Sequence, residues 1–116
     1  MSVKSYPEFH KKVQAGMAKY GAESPDTMAA FQKLHEAGST QGALSPKIKE
    51  LIALAIGIAV RCDGCIAFHV HDALEAGATK AEIVDTIGVA ILMGGGPAVV
   101  YGSSALEALE QFQNNK

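Results

Sequence analysis

Residues 45–76 read SPKIKELIALAIGIAVRCDGCIAFHVHDALEA. Ser45-Pro46 is a helix start: a serine side chain to cap free N–H groups, then proline at the first helical position, where no backbone donor is needed. From Leu51 to Val60 the chain is apolar for ten residues. A membrane span needs about 20, so this segment is a helix buried in protein. It is apolar on all sides, which predicts the central helix of the fold. Arg61 to Gly64 interrupts it. A further helix follows to Ala76 and is closed by Gly77.

The same punctuation continues on both sides. Pro7 to Lys19 carries Phe9, Val13 and Met17 at a spacing of four, one helix face. Ser24-Pro25-Asp26 combines a Ser N-cap, a first-position proline and an acid in the first turn, and predicts a helix to about Ala37 that stops at Gly38. Thr79-Lys80-Ala81-Glu82 is a capping box and opens a helix to about Met93. Gly94-Gly95-Gly96 ends that helix, and Pro97 opens a sixth that runs to about Gln113. The glycine run lacks the Gly-Lys-Ser/Thr continuation and the preceding strand of a phosphate loop. No alternating apolar run is bounded by hairpin turns. The fold class is therefore all-α: a single domain over residues 1–116, a bundle of six helices.

Composition narrows the function classes. The chain has 48% hydrophobic and 19% charged residues, 12 Gly, 3 Tyr, 4 Phe and no Trp. With glycine included, its apolar share exceeds the roughly 45–50% of an ordinary globular chain. This excludes a disordered chain and points to apolar surface that one small domain cannot hide, hence self-association. Small side chains make up much of the excess, so the helices should pack closely. The net charge is −2 and the basic residues are scattered, which gives nucleic acid no electrostatic footing. The N-terminal MSVKSYPEFHKK has no apolar h-region of a signal peptide. A cytoplasmic location is expected, and there a structural disulfide is not expected.

Both cysteines of the chain lie in one C-x-x-C, Cys62-Asp63-Gly64-Cys65. In a reducing compartment that spacing means redox chemistry or metal. Thiolate is the nucleophile, and at an ordinary pKa only about 3% is ionised at pH 7. Three features favour ionisation. The motif opens a helix, whose N-terminus attracts anions. His69 follows Cys65 by one turn, on the same face. Glu50 is the only acid in the apolar part of the preceding helix, and a fold-back at Arg61–Gly64 brings it within one water of His69. The set forms a relay in which Glu50 holds or charges His69, and His69 exchanges protons at Cys65. Metal is the rival, with Cys62, Cys65, His69 and His71 as four possible ligands. At 100° per residue, however, His71 stands about 160° from His69 around the helix. A c-type haem is excluded because Ile66 follows the second cysteine. By analogy with thioredoxin-like sites, Cys62 would be the attacking thiol.

Glu50, eleven intervening residues, Cys62-x-x-Cys65, three residues and His69 together resemble the signature of the alkylhydroperoxidase AhpD-like group of the carboxymuconolactone decarboxylase family. The resemblance extends over Leu44–Leu51, Ala73–Thr79 and Met93–Pro97. It implies a helical subunit that assembles into trimers or hexamers. It also implies a peroxidase or disulfide-reductase cycle without a bound cofactor, acting on a hydroperoxide or a disulfide and recharged by a dithiol reductant. In the group the second cysteine attacks, so Cys65 becomes the attacking thiolate and Cys62 the resolving one, with Glu50 and His69 as the proton relay. One position departs: peroxidase members carry a histidine just before the second cysteine, and here it is Gly64, so a relay through it is missing or rerouted. Decarboxylase members of the family generally lack the C-x-x-C. A lactone decarboxylase and a metal- or redox-sensing assembly module remain the alternatives.

The other candidates have plainer readings. His10 is a solvated helix residue. His35 and His71 lie at the surface or at an interface. Asp63 caps the fourth helix, and Arg61 either favours a thiolate or pairs with an acid between subunits. Met17, Met28 and Met93 fill the core.

Overall fold

Six helices follow one another in the computed structural model, which describes residues 4–114. They are α1 Tyr6–Glu23, α2 Pro25–Ser39, α3 Pro46–Ala59, α4 Asp63–Glu75, α5 Lys80–Gly94 and α6 Gly96–Asn114. No strand occurs among the described residues, and the all-α class stands as read from the sequence. The first three residues of the N-terminal segment lie outside the described residues.

The predicted starts of α3 and α5 are as expected. Ser45 Oγ accepts from Ile48 N–H at 3.2 Å. Thr79 Oγ1 accepts from Glu82 N–H, while Glu82 Oε1 accepts from Thr79 N–H, which closes the capping box. Two expected caps differ. Ser24 turns its hydroxyl to Thr27 Oγ1 instead of to a backbone donor of α2. Asp63 is the first residue of α4, and the cap is Cys62, whose Sγ accepts from Cys65 N–H at 3.2 Å. The Asp63 carboxylate is engaged elsewhere: it accepts from the Tyr6 hydroxyl at 2.8 Å and pairs with Lys4. The beginning of α1 is thereby tied to the beginning of α4.

The break between α3 and α4 has a definite form. Arg61 N–H donates to Ile58 O at 3.1 Å, and Cys62 N–H donates to Gly57 O at 2.9 Å. These two bonds are a Schellman motif, and Arg61 occupies its left-handed position with φ 60°. The end of α4 repeats the motif with Gly77 in that position. The chain therefore reverses directly from the end of one helix into the cap of the next.

Leu54 and Ile58 of α3, Ile66 and Val70 of α4, Ile83 of α5 and Leu109 of α6 are the large, fully buried side chains. Helix α3 packs chiefly on α4 and α5, and α6 closes the other side of both. The expectation that α3 is buried on every side holds for one face only. Leu51, Leu54, Gly57 and Ile58 face inward, while Ile48, Ile52, Ile56 and Val60 form an exposed stripe at a spacing of four. The methionines depart from expectation as well. Met17 is exposed, Met93 is 78% exposed and Met28 is only partly buried. Helix α2 lies against α1 and has no buried residue.

Helices α3 and α4 cross closely because Gly57 has no side chain. A Cβ there would stand 3.0 Å from the Cβ of Cys65. Gly57→Val should lower unfolding free energy by about 1–3 kcal/mol through overpacking, measured by urea denaturation. An unchanged midpoint would mean that the two helices do not meet there.

Candidate active site

Cys62 and Cys65 are joined by a disulfide at the N-terminus of α4. Two turns of chemistry stand behind it. His69 Nδ1 lies 2.7 Å from Glu50 Oε1, and because a carboxylate only accepts, the ring donates Nδ1–H to it. That leaves Nε2 as the nitrogen able to take or give a proton. Sequence reasoning placed a water between these two residues; the fold-back at Arg61 is tight enough for a direct bond. The pair is well shielded, with side-chain exposures of 12% for Glu50 and 23% for His69. A charge-assisted bond is strengthened where water is scarce.

The disulfide lines a cavity of about 740 Å³ between α1, α2 and α4. Val13, Met17, Phe31 and Phe68 give it an apolar wall, and His69 stands on the same wall as the cysteines. Helix α2 is thus a cover over the site, contributing Phe31, Gln32 and His35. The four residues that the sequence singled out (Glu50, Cys62, Cys65 and His69) are therefore brought together. The rival metal set of Cys62, Cys65, His69 and His71 is not. Among the described residues, the side chains able to share an ion are Glu50, His69 and Asp72, whose ligand atoms lie within 4.8 Å of one another. One imidazole and two carboxylates would suit a divalent cation of the manganese-to-zinc range.

Three site residues escaped the sequence reading. His10, expected to be solvated, is 7% exposed and lies on the inner side of α1. Its ring stacks on His71 at 4.5 Å and meets Phe68 and Phe112 edge-on. The inward face of α1 is the pair Tyr6 and His10, which was available as a spacing of four but was overshadowed by the apolar Phe9, Val13 and Met17. His71 is only partly exposed and donates Nδ1–H to Asp72 Oδ1 at 2.8 Å. His35, though exposed, faces the cavity from α2.

Over residues 25–109 the sequence matches the carboxymuconolactone decarboxylase family. The chain belongs to that family. A protein of Cupriavidus necator is 40% identical over 86 residues, which span 74% of this chain and 76% of that protein. The apo structure of a carboxymuconolactone decarboxylase family protein from Legionella pneumophila superposes with a TM-score of 0.89 at 41% identity, covering 92% of this chain and 96% of that one. A family protein from Thermotoga maritima, for which involvement in antioxidative response has been suggested, superposes at 0.82 with 25% identity over 90% of each chain. In this member of the carboxymuconolactone decarboxylase family the all-helical architecture is thus shared well beyond the motif.

Burial, with His71 next to it, holds the His10 imidazole below its ordinary pKa of 6.5, against a smaller opposing effect of Asp72. Above pH 6.5 this side chain is neutral folded and unfolded alike. As pH falls below that value the unfolded chain takes up the proton first, so stability is lost down to the lower folded pKa. His10→Phe should flatten that acid-side loss in thermal unfolding measured from pH 7.5 to 5. An identical slope in wild type and variant would contradict the burial of a neutral ring.

Proposed function

We propose that this chain is a thiol-dependent peroxidase with disulfide-reductase chemistry, using Cys62 and Cys65 as a reversible dithiol/disulfide pair. The observation that supports this best is the cavity-lining C-x-x-C disulfide beside His69, which lines the same cavity and is hydrogen-bonded to Glu50. The relative with a suggested antioxidative involvement is consistent with it.

In this reading Cys65 is the attacking thiolate. His69, one turn along α4, accepts its proton, and Glu50 stabilises the resulting imidazolium. The thiolate displaces the terminal oxygen of a hydroperoxide, which gives Cys65–SOH and an alkoxide. The alkoxide takes a proton and leaves as the alcohol. Cys62 then attacks the sulfenic sulfur, water departs, and the disulfide closes. In the closed disulfide, Cys62 Sγ accepts the Cys65 N–H at the start of the helix. An external dithiol reduces the disulfide and is itself oxidised, which restores both thiols.

Cys65→Ser should abolish hydroperoxide turnover. Cys62→Ser should stop after one equivalent of peroxide, with a sulfenic acid or mixed disulfide detectable by mass spectrometry. Glu50→Gln and His69→Gln should each lower the rate by about 10²–10⁴-fold. Full turnover in Cys65→Ser would overturn the mechanism. Lactone decarboxylation that survives loss of both thiols would establish the decarboxylase alternative.

The same reading includes a homo-oligomer, a trimer or hexamer, supported by the stripe Ile48, Ile52, Ile56 and Val60. A contiguous apolar row of this kind is normally covered in solution. Light scattering at micromolar concentration should give a multiple of the 12.1 kDa chain, and Ile52→Asp with Ile56→Asp should reduce it to the monomer. A monomeric wild type would refute the assembly.

A further inference from the structure

His69 and Asp72 stand three residues apart on α4, which puts both side chains on one face of the helix. That face meets α3, and Glu50 is the residue of α3 that reaches it: His69 Nδ1 lies 2.7 Å from Glu50 Oε1. One ligand atom from each of the three lies within 4.8 Å of the other two. Helical bundles build carboxylate-rich metal centres from such i, i+3 pairs and acids on the facing helices.

Charge points the same way. Two carboxylates share this small volume, and among the described residues neither is paired with a lysine or arginine. Their partners are imidazoles, His69 for Glu50 and His71 for Asp72. The two lysines ahead of Glu50 are engaged elsewhere: Lys47 Nζ with Glu82 Oε2 at 2.9 Å, and Lys49 Nζ with Thr40 O at 2.7 Å. The surroundings meet the other needs of a metal centre, an outer set of partners and a way in. His71 Nδ1–H donates to Asp72 Oδ1 at 2.8 Å, which fixes that carboxylate from outside and leaves it lone pairs. His69 and Asp72 both line the larger cavity, so an ion can enter from there and turn its remaining positions toward it. Bonds of about 2.0–2.2 Å set the ligand atoms of one ion about 3–4 Å apart. Asp72, about a third exposed, can turn to close that ring.

We propose that Glu50, His69 and Asp72 form a site for one first-row divalent cation, and that filling it switches off the Cys62/Cys65 cycle. One nitrogen and two carboxylate oxygens suit ions from manganese to zinc. The site stands independently of the thiol–disulfide reading, whereas the switch rests on it. The switch is a change of tautomer. Without metal, His69 carries its proton on Nδ1, toward Glu50, and offers Nε2 to Cys65. The nitrogen that faces Glu50 is the one a cation between them takes. The ring proton then resides on Nε2, and His69 no longer accepts the proton of Cys65. Glu50, bound to the cation, no longer stabilises an imidazolium. Removal of the metal restores the first arrangement, and neither cysteine changes oxidation state in the exchange.

The test uses the full-length protein and Mn²⁺ alone, titrated by the loss of the free ion's electron paramagnetic resonance signal. The protein is held as the disulfide, so that no thiol competes for the metal. Wild type should bind one Mn²⁺ per chain, and Asp72→Asn should bind it about 10- to 100-fold more weakly. Asp72→Ser carries the same comparison if the asparagine variant fails to fold. Zn²⁺ should displace Mn²⁺, following the usual order of affinities, and should move His69 from the Nδ1–H to the Nε2–H tautomer in ¹⁵N spectra. Turnover of cumene hydroperoxide with dithiothreitol is then measured with Mn²⁺ and with chelator, each protein against its own chelated rate. Saturating Mn²⁺ should lower the wild-type rate by about tenfold or more, and the same concentration should leave the Asp72→Asn rate unchanged. Equal Mn²⁺ binding by wild type and Asp72→Asn, or none at millimolar metal, would overturn the site. Saturating Mn²⁺ without effect on turnover would overturn the switch. A wild type inactive even in chelator would condemn the thiol–disulfide reading and the switch with it, while the binding titration decides the site.

Discussion

Arg61 holds the left-handed backbone conformation, and from it Cys62 N–H reaches back to the Gly57 carbonyl at 2.9 Å. That single reversal sets where every reactive group stands. It makes Cys62 the cap of α4 and puts Cys65 in the first turn. It brings α4 back alongside α3 so closely that a Cβ at position 57 would press on the Cβ of Cys65 at 3.0 Å. The return is also what carries His69 to Glu50, since each lies on its own helix and neither could find the other in an extended chain. A non-glycine residue in this conformation costs about 1–2 kcal/mol. The two Schellman bonds and the packing of Ile58 and Ile66 offset it.

Two histidines of α4 are then each paired with a carboxylate, in different surroundings. His69 and Glu50 are shielded between two helices, whereas His71 and Asp72 are about a third exposed. The first pair is anchored from a second element, α3. The second is formed by neighbours along one helix and owes its position to the stack on His10, which α1 supplies. Helix α1 is in turn fixed by its end: Tyr6 N–H donates to Gln111 Oε1, Gln111 Nε2 donates to Lys4 O, and the Tyr6 hydroxyl reaches Asp63. The site therefore depends on helices from both ends of the chain, although its motif spans only residues 50–69.

Much of this was legible in the sequence because its signals are local. Ser45-Pro46, the Thr79–Glu82 box and Gly77 are decided by the few residues around them, and all three appear in the structure where they were read. Glu50, Cys62, Cys65 and His69 were legible for a related reason: helical spacing and one turn fix their relative positions. His10 was not, because its burial depends on Phe68, His71 and Phe112, which lie more than fifty residues away. Asp63 was misassigned for a similar reason. Its side chain has a distant partner in Tyr6, and the cap fell to a sulfur that no usual preference selects.

The stripe on α3 shows a further limit of pattern reading and joins assembly to chemistry. Leu51, Leu54 and Ile58 face the core, while Ile48, Ile52, Ile56 and Val60 face away, and hydropathy alone does not tell the two rows apart. At about 100° per residue, Glu50 falls on the inner side with Leu54, roughly opposite Ile48 and Ile52. A helix that is apolar on both faces with one inward acid has two tasks. Its inner face presents Glu50 to His69, and its outer face leaves Ile48, Ile52, Ile56 and Val60 exposed. Covering the outer row would hold α3 more rigidly, and with it the carboxylate on which His69 is oriented. If the proposed assembly covers that row, the proposed pairing of His69 with Glu50 gains a fixed carboxylate without any residue from a partner.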